Sequence, residues 1–229
     1  VLSIVIPTLN AERTLGPTLA PLVAGVLDGL VRECVVVDGG STDGTLAVAE
    51  GAGCRIVHAG RGRGVQLRAG CAAAHGDWLL ALHADTRLEG AWIGAVRRHL
   101  AHRPDRAGYF RLRFEDPAPI ARIWEAGVAF RCAALALPFG DQGLLISRRL
   151  YEAVGGYEPL PLLEDFRLVR RLGRRRLARV DAHAVTSADR YRRDGWFRRT
   201  AGNWAILARH ACGETPDALA TRYDRERRA

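Results

Sequence analysis

Four short runs, Leu2–Ile6, Cys34–Asp38, Arg55–Val57 and Trp78–Leu82, are apolar almost throughout and rich in β-branched residues. A strand that faces solvent on one side alternates apolar with polar residues, whereas one buried on both faces of a parallel sheet does not need to. The four runs therefore predict parallel strands at the centre of a sheet. Between the first two, Leu15, Leu19, Leu22, Val23, Val26, Leu27 and Leu30 recur at helical spacing. The pattern predicts one helix over this stretch, irregular at its start because of Pro17 and Pro21. Strand, helix and parallel strand imply a right-handed crossover. Further helices are expected after Asp43-Gly44, over Val65–Ala74 and from about Glu89 to His102. The alternation points to an α/β fold, a sheet flanked by helices on both sides. Such sheets bind ligands beyond the carboxyl ends of their strands.

The second half is less regular. Tyr109–Phe114 alternates like an edge or antiparallel strand, Asp116-Pro117 breaks the chain, and a helix is expected over Ile120–Arg131. A short strand at Leu144–Ser147, a helix over Glu164–Leu172, and amphipathic segments around Trp196–His210 and Pro216–Tyr223 follow. No repeat or flexible linker divides the 229 residues, so one domain is expected. No apolar run approaches the roughly 20 residues of a membrane-spanning helix, and no basic leader precedes the first strand. A cytoplasmic protein is the expectation. Cys34, Cys54, Cys71, Cys132 and Cys212 are odd in number and lack C-x-x-C spacing, which favours reduced packing residues.

Charge is distributed unevenly. The chain contains no lysine; residues 1–147 hold 15 Arg against 14 acids, while residues 148–229 hold 19 against 11. The positive field of the last third could meet phosphate-bearing substrates, an anionic membrane surface or only solvent. No nucleic-acid motif accompanies it, so a nucleic-acid partner is not expected.

Two strand ends carry the first chemical signal: Ile6-Pro7-Thr8-Leu9-Asn10 and Val37-Asp38-Gly39-Gly40-Ser41-Thr42-Asp43-Gly44-Thr45. A carboxylate followed by glycines and hydroxyls can accept a base N–H and let a ligand approach the backbone. It can equally be a turn followed by a helix cap. Four further segments stand in order after these: Gly60–Gly70, with Arg63; Gly76–Thr86, containing His83-Ala84-Asp85; Gly140-Asp141-Gln142-Gly143; and Leu163-Glu164-Asp165-Phe166.

In the order and spacing of these six segments, over about residues 2 to 172, the chain resembles the family 2 glycosyltransferases, the inverting class with the GT-A fold. It looks closest to a compact bacterial subgroup bearing H-A-D-T and G-D-Q-G, some of whose members are labelled arsenosugar-biosynthesis transferases. The resemblance implies a Rossmann-like GT-A domain with a mixed, mostly parallel sheet. It further implies a nucleotide-binding half (1–105), an acceptor-binding half (106–180) and a basic helical extension (181–229). A nucleoside-diphosphate sugar, UDP-linked in the simplest case, would be the donor, and Mn2+ or Mg2+ the metal.

On the same resemblance Pro7, Thr8, Asn10 and Ser41 line the nucleotide pocket, Asp38 accepts the base N–H, and Arg63 meets a donor phosphate. Asp85 is the metal ligand and Asp165 the catalytic base. Gly140, Asp141, Gln142 and Glu164 fall on the acceptor side, although Asp141 and Gln142, after a Pro-Phe-Gly turn, read equally as turn and capping groups. The family usually shows Asp-x-Asp where this chain has His83-Ala84-Asp85, so His83 either meets the donor or packs at the strand end. Ala11 stands where an acid often follows the Asn, with Glu12 one position on. Without the resemblance, Glu164 and Asp165 would read as acids of a helix's first turn. Arg190, Arg192, Arg193 and Arg198-Arg199 around Trp196 suit a flap over the diphosphate, an interfacial helix or a helix packed on its own domain. Two other functions compete: a nucleotidyltransferase, disfavoured because no basic glycine-rich loop follows the first strand, and a non-catalytic nucleotide-sugar-binding module.

Overall fold

The computed structural model describes the backbone of residues 1–228 and the side chains through residue 222. β1 (Leu2–Thr8) is buried at every position and runs parallel to β2 (Val31–Asp38), which runs parallel to β3 (Arg55–His58). β4 (Trp78–Ala81) lies parallel to β1 on its other side. These are the four apolar runs, and their pairing supplies the parallel half of an eight-stranded sheet of order β3-β2-β1-β4-β7-β6-β8-β5. The remaining strands are β5 (Thr86–Glu89), β6 (Ala107–Phe114), β7 (Leu144–Ser147) and β8 (Leu177–Thr186). β7 is antiparallel to both β4 and β6, β8 is parallel to β6, and β5 closes the edge antiparallel to β8. The mixed sheet agrees with the expected fold class.

Successive side chains of a strand point to opposite faces, and the core divides accordingly. Ile4, Ile6, Val36, Leu80 and Leu82 pack with Leu15, Leu19, Leu22 and Trp92 on one face. There the helices are α1 (Glu12–Leu19), α2 (Leu22–Leu27), α3 (Thr45–Gly51), which buries Ala49 in the same core, and, beyond α4 (Arg63–Ala73), α5 (Trp92–His102). Val5, Val35, Val37 and Leu79 pack with Leu67 and Cys71 of α4 on the other. Gly70 of α4 fixes that contact, since a β-carbon there would lie 2.5 Å from the side chains of both Val5 and Val37.

α6 (Pro119–Leu135) covers β6, and α7 (Arg148–Ala153) follows β7. α8 (Glu164–Leu172) buries Leu168, Val169 and Leu172 in the second core. The C-terminal helices are α9 (Asp189–Asp194), α10 (Trp196–Ala211) and α11 (Pro216–Arg228). Phe114 of β6 meets Trp196 edge-on at 5.1 Å between ring centroids, and Trp124 of α6 meets Phe197 at 4.7 Å. This aromatic cluster packs the start of the arginine-rich segment against β6 and α6. No helix among the described residues is long and apolar enough to cross a membrane.

Three elements depart from the sequence expectation. The single helix over Leu15–Leu30 is two, broken at Ala20-Pro21, because proline has no N–H to continue the ladder and its ring collides with the preceding turn. Val23, Val26 and Leu27, taken as part of its apolar stripe, are exposed. Thr86–Glu89 is a strand, so the following helix begins at Trp92 instead of Glu89. Its signal is weak because Arg87 and Glu89 pair with each other on the outer face, at 2.8 Å, leaving only Thr86 and Leu88 buried. Leu177–Thr186 is also a strand, whose inward positions are mostly alanine and valine. The helical C-terminal part consequently begins at Asp189, residues 181–186 being the second half of β8. All five cysteines are unpaired, and Cys212 is exposed, unlike the packed Cys71 and Cys132.

Candidate active site

β1 and β2 end side by side, with Thr8 opposite Asp38. The loops that follow are stitched together by backbone and hydroxyl groups. The Asn10 N–H donates to Ser41 Oγ at 2.9 Å, the Thr42 N–H donates to Asn10 Oδ1 at 2.9 Å, and the Ala11 N–H donates to Thr45 Oγ1 at 2.7 Å. Glu12 Oε2 accepts the Gly44 N–H at 3.1 Å. Asn10 adopts a left-handed backbone, φ 51°, which asparagine tolerates better than most residues. Pro7 and Thr8 are buried beneath these loops.

Asp38 is 2% exposed and forms the turn itself. Its Oδ2 accepts the N–H groups of Gly40 (2.9 Å) and Ser41 (3.0 Å), and its Oδ1 accepts Ser41 Oγ at 2.5 Å. Burial pushes its carboxyl up, but the bonds from Ser41 and Gly40 outweigh burial and hold it below its usual value. The remaining contact, from Thr8 Oγ1 at 3.4 Å, is long. The turn-forming reading of Asp38 is thus present in the structure whatever else the residue does.

Gln66 of α4 went without a role in the sequence. It is 3% exposed and its Nε2 donates to the carbonyls of Thr8 (2.7 Å) and Val37 (2.8 Å), clamping the two strand ends. Gln66→Ala removes one hydrogen bond from each carbonyl, leaving Thr8 O with the Gly39 N–H at 3.0 Å and Val37 O with Thr8 Oγ1 at 3.3 Å; the expected loss is about 1–3 kcal/mol of folding stability, measurable by denaturant unfolding.

Beyond the end of β4 the chain opens onto a cavity of about 190 Å3. His83, Asp85, Gly140, Asp141, Glu164 and Asp165 contribute to its walls, with Arg63 from α4 and Arg190, Tyr191, Arg199 and Asn203 from the C-terminal helices. Asp85, Asp141 and Asp165, distant in sequence, therefore share one cavity. Asp38 does not line it; β2 lies two strands from β4, about 10 Å along the same carboxyl edge at ordinary strand spacing. The predicted residues fall into two adjacent groups, Pro7, Thr8, Asn10, Asp38 and Ser41 in one and Arg63, His83, Asp85, Gly140, Asp141, Glu164 and Asp165 in the other.

Gln142 belongs to neither. It is buried, donates from Nε2 to the Phe110 carbonyl at 3.0 Å, and accepts at Oε1 from Arg131 Nη2 (3.2 Å) and the Phe139 N–H (3.3 Å). Of its two expected places, the turn-capping one is what these bonds show: the amide holds the Phe139-Gly140 turn. Glu164, also expected on the acceptor side, is wholly buried and its Oε1 lies 2.7 Å from Arg63 Nε. Its carboxylate orients the arginine that lines the cavity.

Asp165 lies in the first turn of α8, which is entered through Leu163, whose φ of 68° is an uncommon conformation for a bulky residue. Burial, then the Glu164 charge, push the Asp165 carboxyl up to about 7, against the Arg63 guanidinium and a hydrogen bond from the Gly140 backbone. Burial likewise raises Asp141, opposed by Arg131 and reinforced by Asp85. His83 Nε2 stands 4.0 Å from Asp165 Oδ2. Burial, with Arg63 and Arg190 nearby, depresses the His83 imidazole to about 4, against the pull of Asp85, so the ring is neutral near pH 7.

Among the described residues no group of three His, Cys, Asp or Glu side chains is arranged to hold a metal. The chain offers the Asp85 carboxylate, next to a neutral His83 whose buried Nε2 has no hydrogen-bond partner. That donor set fits a divalent ion that brings most of its ligands with it, as Mg2+ does with phosphates and water. Tyr191, Arg199 and Asn203 are the lining residues to which sequence gave least weight. Arg199 was visible only as one of an arginine cluster, and Asn203 only as part of the amphipathic segment around Trp196–His210.

Sheet order, a nucleotide-binding type of strand edge and an acidic cavity at the end of β4 together define a GT-A-type α/β protein. Glycosyl transferase family 2 matches residues 3–129, more than half of the chain, and the chain belongs to that family. Similar proteins include the glucosyl-3-phosphoglycerate synthases of Mycolicibacterium paratuberculosis, 34% identical over 93 residues, and of Mycolicibacterium smegmatis, 44% identical over 55 residues. The first match covers 37% of this chain and 28% of the relative, the second 24% and 18%, so the shared stretch is under a third of either relative. Among solved structures, glucosyl-3-phosphoglycerate synthase from Mycobacterium tuberculosis in complex with Mn2+, UDP and glucosyl-3-phosphoglycerate aligns at a TM-score of 0.58 and 25% identity. That alignment covers 81% of this chain and 71% of the other. The same enzyme with UDP alone gives a TM-score of 0.58 and 26% identity over 80% of this chain and 70% of the other. These relatives are named for a different product from the arsenosugar subgroup that the motifs suggested.

Proposed function

We propose that the chain is an inverting glycosyltransferase that moves a sugar, glucose in the simplest case, from a UDP-linked donor to an acceptor hydroxyl in the presence of Mn2+ or Mg2+. The observation that carries the reading is the convergence of Asp85, Asp141 and Asp165 on one cavity, on the same sheet edge as the Asp38 loop. A uridine seated by the β1 and β2 loops would extend its diphosphate along that edge to Asp85. Residues 1–105 then serve as the nucleotide half, residues 106–180 as the acceptor half, and the C-terminal helices as a cationic wall of the cavity.

Asp165 takes the proton of the acceptor hydroxyl as that oxygen attacks the anomeric carbon. The bond from that carbon to the diphosphate oxygen breaks, the new glycosidic bond forms on the opposite face, and UDP leaves with the electron pair. A divalent ion held at Asp85 would supply Lewis-acid neutralisation of the leaving diphosphate. Arg63, oriented by Glu164, adds a fixed positive charge beside it. The relatives' product name implies an anionic acceptor, and Arg190 and Arg199 on the C-terminal wall of the cavity would face it.

The test is transfer from UDP-glucose to 3-phosphoglycerate with Mn2+, with the product's anomeric configuration read by NMR. Asp85→Ala is expected to weaken Mn2+-dependent UDP binding by about tenfold or more in calorimetry while leaving metal-free binding unchanged. UDP binding that is indifferent to Mn2+ in the parent protein, with no transfer from any donor, would favour the non-catalytic module. Pyrophosphate release from UTP and a sugar phosphate would favour the nucleotidyltransferase.

A further inference from the structure

A second cavity, of about 610 Å3, lies away from the donor edge, between β6, β8 and α6. Tyr109 and Arg111 of β6 share one face with Arg179, Asp181 and His183 of β8, as alternation along paired strands requires. The opposite wall is the small-residue side of α6, and Arg103 closes one end.

Its charges do not cancel. Glu125 is fully used, with Oε1 accepting the Phe114 N–H at 2.7 Å and Oε2 paired with Arg122 at 3.1 Å. Asp181 stands a loose 3.9 Å from Arg111. Among the described residues neither Arg103 nor Arg179 has a carboxylate within ion-pair distance; Arg103 Nη1 donates only to the Arg179 carbonyl, at 3.3 Å. Two guanidinium groups without a carboxylate partner, beside a third that is only loosely paired, suit the oxygens of a phosphate. The volume, in the range of small-molecule sites, is too large for a phosphate alone. Tyr109 and the alanines of α6 offer a surface for an uncharged remainder.

We propose that this cavity binds a small organic phosphate, gripped by Arg103, Arg111 and Arg179 and separate from the donor cavity. Gln142 lines it too, and the same Gln142 Oε1 accepts the Phe139 N–H next to Gly140, so an occupant would touch the residue that holds the turn against Asp165.

Calorimetry with glucose 6-phosphate in metal-free buffer, on the full chain, tests this without relying on transfer. Saturable binding is expected. Arg111→Gln combined with Arg179→Gln should weaken it by about tenfold or more, and Arg103→Gln, on a different element, should weaken it as well. Arg190→Gln in the donor cavity should leave it within about twofold, and inorganic phosphate should bind at least about tenfold more weakly than the ester. No saturation below about 10 mM, unchanged affinity in the Arg111/Arg179 variant, loss in Arg190→Gln, or inorganic phosphate binding as tightly as the ester would each overturn the proposal.

Discussion

Asp165→Asn is expected to lower kcat by about a thousandfold or more while leaving UDP affinity within about threefold, because general-base assistance is lost and the base and phosphate contacts are not. Asparagine keeps the shape and cannot accept the proton. A carboxylate acts as a base only when ionised, and burial with the Glu164 charge lifts this one to about 7. The parent rate should therefore rise with pH through that region and level off above it, falling about tenfold per unit on the acid side. Linkage gives a second readout. The folded value lies above the unfolded one, so the native state holds this proton more tightly; its contribution to stability is complete below about pH 4 and lost as pH rises through 7. The Asn variant escapes that loss. It should unfold at a higher temperature than the parent at pH 8, by on the order of 2 kcal/mol, with the gap closing near pH 4. Near-parental turnover by the variant would remove Asp165 as the base.

How much of this was visible before any coordinates depended on how local each signal was. The apolar runs of β1 to β4 announce themselves because burial on both faces constrains every residue of a strand. The strand β8 hides because its alanines and Val180 pack against neighbours contributed by distant segments, a fact of tertiary contact with no local marker. The Glu164-Asp165 pair shows the same division. Sequence places both acids in the first turn of a helix, which the structure keeps, but only the fold reveals that Glu164 turns to Arg63 while Asp165 turns to the cavity. Gln142 had two readings, acceptor contact and turn cap, and they separate only in its bonds to Phe110 and Arg131, which lie on other elements. Asp38 was legible as an important carboxylate, and its two readings separate only in the hydrogen bonds it makes.

Gly140→Ala should also be severe, for a steric reason. A β-carbon at this position would overlap Asp165 Oδ2 and His83 Nε2, far inside van der Waals contact, and neither side chain is a flexible end that can swing into solvent. Asp165 is 14% exposed and His83 18%, so the collision has to be relieved by moving the carboxylate or the turn itself. Moving the turn breaks the bonds by which Arg131 and Gln142 secure it, Arg131 Nε to the Leu137 carbonyl at 2.9 Å and Gln142 Oε1 to the Phe139 N–H at 3.3 Å. A displacement of about 1 Å of a reacting group is enough to cost about a hundredfold in rate. The expected result is a kcat loss of about a hundredfold or more with UDP affinity nearly unchanged, since the base-side loops are two strands away. Gly127→Ala on α6 is the matched control: nothing lies within 4 Å of its β-carbon, so it should leave turnover alone and add about 0.5–1 kcal/mol of helix stability. If Gly140→Ala turned over like the parent, the turn could not press on Asp165 in the working enzyme, and the contact between them would have no catalytic meaning.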